Sequence, residues 1–153
     1  MIREKLTASL KDAMRAKNEL ATTTIRMINA AIKQKDIDLA RPRGDQQISE
    51  EEVLNLLQSL IKSRRESIEL YKQGQRQDLV DKEAAEIALI EHFLPKQLSE
   101  EETVSAVRAL VASSGASSVK DMGKVMAALK SNYAGRLDMT KASAIVKRVI
   151  SQG

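Results

Sequence analysis

The organisation of the chain is decided by the stretch Phe93-Leu94-Pro95-Lys96-Gln97-Leu98-Ser99-Glu100-Glu101-Glu102. Proline has no backbone N–H and pushes the residue before it out of the α region, so a helix is expected to stop at Leu94. Ser99 followed by Glu102 forms a capping box, which starts a new helix. We therefore predict a helical bundle over residues 1–94, a hinge at residues 95–98 and a second domain over residues 99–153.

Two helices are predicted at the start of the chain. Apolar residues recur every three or four positions over residues 2–14 and again over residues 20–32, which is the period of an amphipathic helix. The polar stretch that follows contains proline and glycine and is expected to be a mobile loop, Arg41-Pro42-Arg43-Gly44-Asp45-Gln46-Gln47.

Two more helices are predicted before the proline. The third begins at a capping box formed by Ser49 and Glu52 and is expected to end at Gly74. The fourth runs from about Asp78 to Leu94. The first 94 residues therefore predict a four-helix bundle.

Three shorter helices are predicted after the hinge. They cover residues 99–115, about 119–132 and about 139–151, and the dipeptide Gly135-Arg136 forms the turn between the last two. Nothing in the chain alternates in the manner of a strand. The predicted fold class is all-α, with a four-helix N-terminal bundle followed by a small three-helix C-terminal domain.

Composition limits the classes of function. The 153 residues contain no cysteine, which excludes disulfides, thiolate nucleophiles and cysteine-based metal sites. There is no long apolar run and no apolar leader at the start, so no membrane partner is expected and a cytoplasmic location is the default expectation.

Charge is concentrated at the two ends of the chain. Residues 1–43 carry +5, residues 44–116 carry −6 and residues 117–153 carry +5, which together give the formal charge of +4. A compact basic module points to a polyanionic partner, for which RNA is the favoured candidate, and basic ends around an acidic middle suggest oriented binding. The alternative is that the acids gather at helix starts and the remaining charges are solvated surface.

The basic module at the end supplies the candidate RNA-binding residues. They are lysines and arginines of the last two helices and of the turn between them: Lys120, Lys124, Lys130, Arg136, Lys141, Lys147 and Arg148. Helical spacing separates an apolar stripe (Val119, Met122, Met126, Leu129 and Tyr133) from a strip in which small residues lie between lysines (Lys120, Gly123, Ala127 and Lys130). A phosphate backbone could approach that strip closely. The alternative is that Gly123 and Ala127 only permit tight helix packing.

No catalytic or metal-binding residues are predicted, and no cofactor. There is no phosphate-binding glycine loop, and no serine has an identifiable activating partner. The single histidine, His92, is expected to pack beside Phe93 at a helix end, and the acidic runs at residues 50–52 and 100–102 are explained by helix capping.

One charged residue lies on an apolar helix face. Arg64 falls on the line through Leu57, Ile61 and Ile68. It either pairs with Glu83 or Glu86 of the fourth helix or extends to solvent, and extension to solvent is favoured.

Several ordered segments resemble the stand-alone YqeY proteins of the GatB/YqeY family. They are Ala13-Met14, Ile25-Arg26-Met27-Ile28-Asn29-Ala30-Ala31-Ile32-Lys33, Glu66-Ser67-Ile68-Glu69-Leu70-Tyr71, Gly74-Gln75-Arg76-Gln77-Asp78-Leu79 with Glu83, Phe93-Leu94-Pro95-Lys96-Gln97-Leu98-Ser99, and Lys120-Asp121-Met122-Gly123-Lys124-Val125-Met126. The chain departs from the family pattern at Leu137, where alanine is usual, and at Gln75, where a second glycine is common.

The resemblance implies a role beside tRNA. The chain is similar to the C-terminal region of the GatB subunit of tRNA-dependent amidotransferases, which helps to hold tRNA, whereas the kinase and amidase chemistry lies in parts that this chain lacks. Related proteins often carry the label of a carbon–nitrogen ligase with glutamine as amido-N-donor. We expect instead a non-catalytic accessory protein that binds tRNA or another folded RNA, with a tRNA-charging or amidotransferase assembly as a candidate partner. The alternative is a helical protein–protein adaptor.

Overall fold

The computed structural model describes residues 1–152, apart from the side chain of Val119. It contains α1 (Ile2–Arg15), α2 (Glu19–Lys35), α3 (Glu50–Gln73), α4 (Gln77–Glu91), α5 (Glu100–Ser114), α6 (Met122–Asn132) and α7 (Met139–Gln152). Short π-helical (Asp36–Ala40) and 3-10 segments (Arg41–Arg43 and Val119–Asp121) complete the regular structure. No strand occurs in residues 1–152, and the prediction of an all-α fold is confirmed. The predicted apolar side chain of Val119 and the terminal Gly153 lie outside the described residues.

The chain divides into two compact units, Met1–Leu94 and Pro95–Gly153. The first unit contains α1 to α4, and each of these helices contributes one fully buried side chain: Leu6, Ile28, Leu57 and Ile90. The second unit contains α5 to α7 and has its own apolar cluster, in which the most deeply buried side chains are Val107, Val125, Leu129, Ala142 and Val146. Each unit therefore buries apolar surface of its own.

The turn between α3 and α4 explains one departure from the family pattern. Gly74 follows α3 with φ −82°, whereas Gln75 has φ +57°, in the left-handed region that favours glycine. The N–H of Arg76 closes the turn on the carbonyl of Tyr71 (2.9 Å). A glycine, which is common in the family at position 75, adopts this conformation without the strain that glutamine carries.

Arg64 is paired, not extended to solvent. Its Nε donates to Oε2 of Glu86 at 2.8 Å, and Nε lies 3.9 Å from Oε2 of Glu83. A further guanidinium nitrogen donates to the carbonyl of Leu60 at 3.2 Å. The favoured expectation was wrong because the fourth helix holds two carboxylates within reach, and a half-buried guanidinium is more stable when it is paired.

The stretch over residues 41–47, predicted as a mobile loop, is held by hydrogen bonds from both directions. Asp36, at the end of α2, is buried; it accepts two hydrogen bonds from Arg3 and one from the N–H of Ile48. Burial opposes the ionisation of Asp36, but these hydrogen bonds lower its pKa below the ordinary value.

Arg43 holds the other side of the same stretch. Its guanidinium donates to both carboxylate oxygens of Glu52 and to Asp45. The hydrogen bonds from Arg43, with that from the N–H of Ser49, lower the pKa of Glu52 to about 2. Glu52 is thus both the acid of the α3 capping box and the anchor of the preceding turn.

The predicted hinge residues are bonded to the second unit. The N–H of Leu98 donates to the carbonyl of Arg136 at 2.9 Å, and the Gln97 side chain donates to the carbonyl of Gly135. Gly135 has φ +73°, which glycine adopts readily at this turn. Leu137, the other departure from the family pattern, is buried in the second core. Bending at the junction stays a prediction, and these bonds restrict it to the region of Leu94 and Pro95.

Candidate nucleic-acid interface

The exposed face of α6 carries two of the predicted cations, and a third lies in the turn before it. Lys124 and Lys130 are exposed on the helix, and Lys120 is exposed in the 3-10 turn before it. At about 100° per residue, Lys124 and Lys130 lie roughly 120° apart around the helix axis, with Ala127 between them. The lysines therefore flank an exposed strip and do not form a single row.

The buried face of α6 differs from the predicted stripe at one residue. Val125 is 1% exposed and Leu129 is fully buried, whereas Met122, Met126 and Tyr133 are only partly buried. Val125 lies three residues after Met122 and four before Leu129, so the α-helical period places it on the same face, and the predicted stripe omitted it.

Gly123 is exposed in the first turn of α6, and a Cβ built on it would meet no atom within 4 Å. Packing within the described residues therefore does not require glycine at this position, although tight packing was the alternative reading of Gly123. An exposed glycine inside a helix costs about 1 kcal/mol relative to alanine. The open backbone at Gly123 lies beside Lys120 and Lys124.

The exposed face of α7 carries the remaining lysines and arginine. Ala142, Ile145, Val146, Val149 and Ile150 are buried, and Lys141, Lys147 and Arg148 are exposed. Lys141 and Arg148 are seven residues apart, which places them about 20° apart around the axis, and Lys147 lies about 100° from Arg148. The structure thus brings Lys141 and Arg148 to one side of α7.

Arg136 differs from the other six predicted residues in its burial and in its contacts. It is half-buried, and its Nε donates to the carbonyl of Lys96 at 3.0 Å. Its guanidinium carbon lies 5.9 Å from the centre of the Tyr133 ring, within the range of a cation–π interaction. Arg136 therefore stabilises the turn between α6 and α7, a role that spacing in the sequence did not indicate.

The cations of the second unit lack carboxylate partners. No ion pair involves any residue from 95 to 152, the part of this unit that the structure describes. The unit has nine lysines and arginines against five carboxylates. Three of these carboxylates accept backbone hydrogen bonds near helix starts: Glu102, Asp121 and Asp138. Because the cations outnumber the carboxylates and none of them forms an ion pair within residues 95–152, the unit keeps a net positive field.

Other chemistry has little support in the described residues. No three histidine or acidic side chains there could hold a metal ion together. His92 is exposed at the end of α4 and packs edge-on against the Phe93 ring, with 5.4 Å between ring centres. Across residues 1–152, every helix is too short or too polar to cross a membrane.

Comparison with known proteins places these features in a family. Residues 3–150 match the model of the Yqey-like protein family. The chain is 37% identical over 108 residues to the protein named Altered inheritance of mitochondria protein 41, mitochondrial, of Kluyveromyces lactis, covering 69% of this chain and 56% of that protein. It is 38% identical over 89 residues to the protein of the same name from Lachancea thermotolerans, covering 58% and 46%. The chain spans about half the length of the curated relatives it matches.

The comparisons correct the expected location and confirm the family resemblance. The expected cytoplasmic location is contradicted, since the similar proteins are named as mitochondrial. The expectation rested on the lack of a long apolar run and of an apolar leader in the sequence, which does not specify a cellular compartment. The resemblance read from the sequence is confirmed by a family match that covers nearly the whole chain, and the chain belongs to the YqeY-like protein family.

Proposed function

We propose that this chain is an RNA-binding accessory protein whose three-helix C-terminal domain contacts the phosphate backbone of a folded RNA such as tRNA. In this proposal the protein has two parts, and the four-helix N-terminal bundle is the other one. The observation that carries the proposal is the set of exposed cations on α6 and α7 that have no carboxylate partner within residues 95–152. Participation in a tRNA-charging or amidotransferase assembly rests on the resemblance to GatB.

Contact with the backbone is favoured over stacking on bases. The chain has two tyrosines, one phenylalanine and no tryptophan. Tyr133 is half-buried against the second core and lies under Arg136, and Phe93 is buried in the first core. Proteins that bind single strands present exposed aromatic rings to successive bases, whereas double-helical RNA is recognised through its shape and backbone.

Reversal of two charges on α6 tests the proposal. Lys124→Glu combined with Lys130→Glu should weaken binding of unfractionated tRNA and lower the slope of log K against log salt by roughly 1.5, because each lost phosphate contact removes about 0.7 to 0.9. The measurement is a filter-binding titration at several salt concentrations, with circular dichroism to show that the variant is folded.

The matched control reverses two exposed lysines of the other unit. Lys62→Glu combined with Lys82→Glu makes the same change in net charge on α3 and α4, where neither lysine is ion-paired in the described structure. If the α6 variant and this control lose the same affinity, only the overall charge matters and the interface is not on α6.

Gly123 provides a test that separates binding from stability. Gly123→Ala should raise the free energy of unfolding by roughly 0.5 to 1 kcal/mol, because the Cβ meets nothing and alanine favours the helix. The same variant should weaken tRNA binding if RNA approaches the open backbone there. Denaturant unfolding and the tRNA titration are run on the same sample. A variant that is stabilised and binds as tightly as the parent would remove Gly123 from the interface.

The adaptor function remains a second candidate because of one exposed residue on α3. Leu70 is 66% exposed between Glu69 and Tyr71, on the unit that carries most of the acidic residues. Exposed apolar side chains ringed by charge occur at protein interfaces. This function moves ahead if the folded parent does not bind tRNA at low salt.

A further inference from the structure

The first unit is electrically neutral but strongly polarised. It has sixteen lysines and arginines and sixteen carboxylates, yet residues 1–35 carry +5 and residues 36–94 carry −5. Among the lysines and arginines of residues 1–35, only Arg3 forms an ion pair with a carboxylate in the described structure, and the N-terminal ammonium pairs with Glu4. The other lysines and arginines there are without carboxylate partners, whereas five of the eight in residues 36–94 are paired.

Four of these cations form one continuous surface on α1 and α2. Lys11 lies three residues before Met14 and four before Arg15, so the three are neighbours on α1. A guanidinium nitrogen of Arg26 lies 3.9 Å from the sulfur of Met14, which joins the exposed face of α2 to that of α1. Lys33 follows Arg26 by seven residues, about 10 Å along the axis on the same face. We call Lys11, Arg15, Arg26 and Lys33 the α1–α2 basic surface.

We propose that the α1–α2 basic surface is a second binding surface for the phosphate backbone of RNA. The proposal rests on the proposed function for the class of ligand, but it concerns residues that the C-terminal interface does not include. All four side chains are exposed, and the acids of residues 1–35 are only Glu4, Asp12 and Glu19. A cationic array of this length, whose four members form no ion pair with a carboxylate in the described structure, suits a repeating polyanion.

Two other partners fit the surface less well. A membrane-binding helix needs an exposed apolar face, and the apolar faces of α1 and α2 are used in the first core, where Leu6 and Ile28 are fully buried. A protein interface is usually centred on aromatic anchors, and residues 1–35 contain no phenylalanine, tyrosine or tryptophan. The exposed Met14 is a single apolar side chain within the basic surface.

The test is the double variant Arg26→Glu with Lys33→Glu in the full chain. At 0.1 M salt we expect about a tenfold loss of affinity for unfractionated tRNA and a salt slope lower by roughly 1.5. The control is Lys62→Glu with Lys82→Glu, which has the same net charge. Circular dichroism verifies folding, and Arg26→Gln with Lys33→Gln replaces the reversal variant if that variant does not fold.

The outcomes separate this proposal from the C-terminal interface. If the α1–α2 variant binds tRNA as the control does while the α6 variant is weakened, the α1–α2 proposal is overturned and the proposed function stands. If only the α1–α2 variant loses affinity for tRNA, the α1–α2 proposal stands and the C-terminal interface is overturned. If the parent binds no tRNA, both fail. A variant that keeps tRNA affinity but loses binding to phosphatidylglycerol vesicles identifies a membrane surface and also overturns the proposal.

Discussion

Leu129→Ala should unfold the second unit and leave the first unit folded. Leu129 is fully buried in α6, and a leucine to alanine change at such a site costs 2 to 5 kcal/mol through lost burial and the remaining cavity. A unit of about 60 residues has little stability to lose. We expect amide resonances of residues 95–153 to collapse to random-coil positions at 25 °C while those of residues 1–94 keep their dispersion.

The matched control is Leu57→Ala, at an equally buried leucine of the first unit. It should destabilise residues 1–94 by a similar free energy and leave the resonances of the second unit unchanged. The expectation follows from the two separate apolar clusters, which share no residue. Loss of dispersion throughout the chain in either variant would show one cooperative unit and contradict the prediction.

Arg64→Ala should cost about 2 to 3 kcal/mol of stability in the first unit. The change leaves Glu86 and Glu83 without the cation that faces them. Removing one partner of a buried ion pair usually destabilises a protein more than replacing both partners by apolar residues. The value is smaller than the roughly 3 to 5 kcal/mol expected for a fully buried pair because the Arg64 side chain is 16% exposed. Denaturant unfolding measures it, and Arg64→Lys should recover part of the loss by restoring the charge.

A double-mutant cycle with Glu86→Ala gives the coupling in the pair. Because Arg64 and Glu86 are in direct contact, the double variant should be less destabilised than the sum of the two single variants by about 1 kcal/mol or more. Equality with the sum would show that the ion pair contributes nothing and that only the packing of the Arg64 stem matters.

Local signals in the sequence were sufficient for the helices. The capping boxes at Ser49 and Ser99 are formed as predicted, and each serine oxygen accepts the backbone N–H three residues on. The end of α3 was placed correctly at Gly74, although Gln75 and not Gly74 adopts the left-handed conformation there, whereas the turn at Gly135 does use the freedom of glycine. These elements were predictable because the residues that specify them lie within four positions of each other.

Contacts between distant residues were not predictable from spacing. Arg3 and Asp36 lie 33 positions apart, and nothing local shows that they meet and fix the end of α2. Arg136 was grouped with the exposed lysines by charge alone, although a bond to the carbonyl of Lys96, 40 positions away, holds it in the turn. The exposure of Lys124, Lys130, Lys141 and Arg148 followed from helical period, but the cations of α1 and α2 were noted only as a charge total.

The hydrogen bonds between residues 96–98 and the turn at residues 133–136 bear on how the two proposed surfaces could bind one RNA together. Leu94, the last residue of the first unit, packs against the first core, and residues 96–98 are bonded within the second unit, which begins at Pro95, so the two units follow each other without a separate linker. If both proposed surfaces bind the same RNA, this short connection should give a high effective concentration of one surface once the other is bound. Lengthening the connection between Leu94 and Pro95 would dilute the second binding event without altering a single contact.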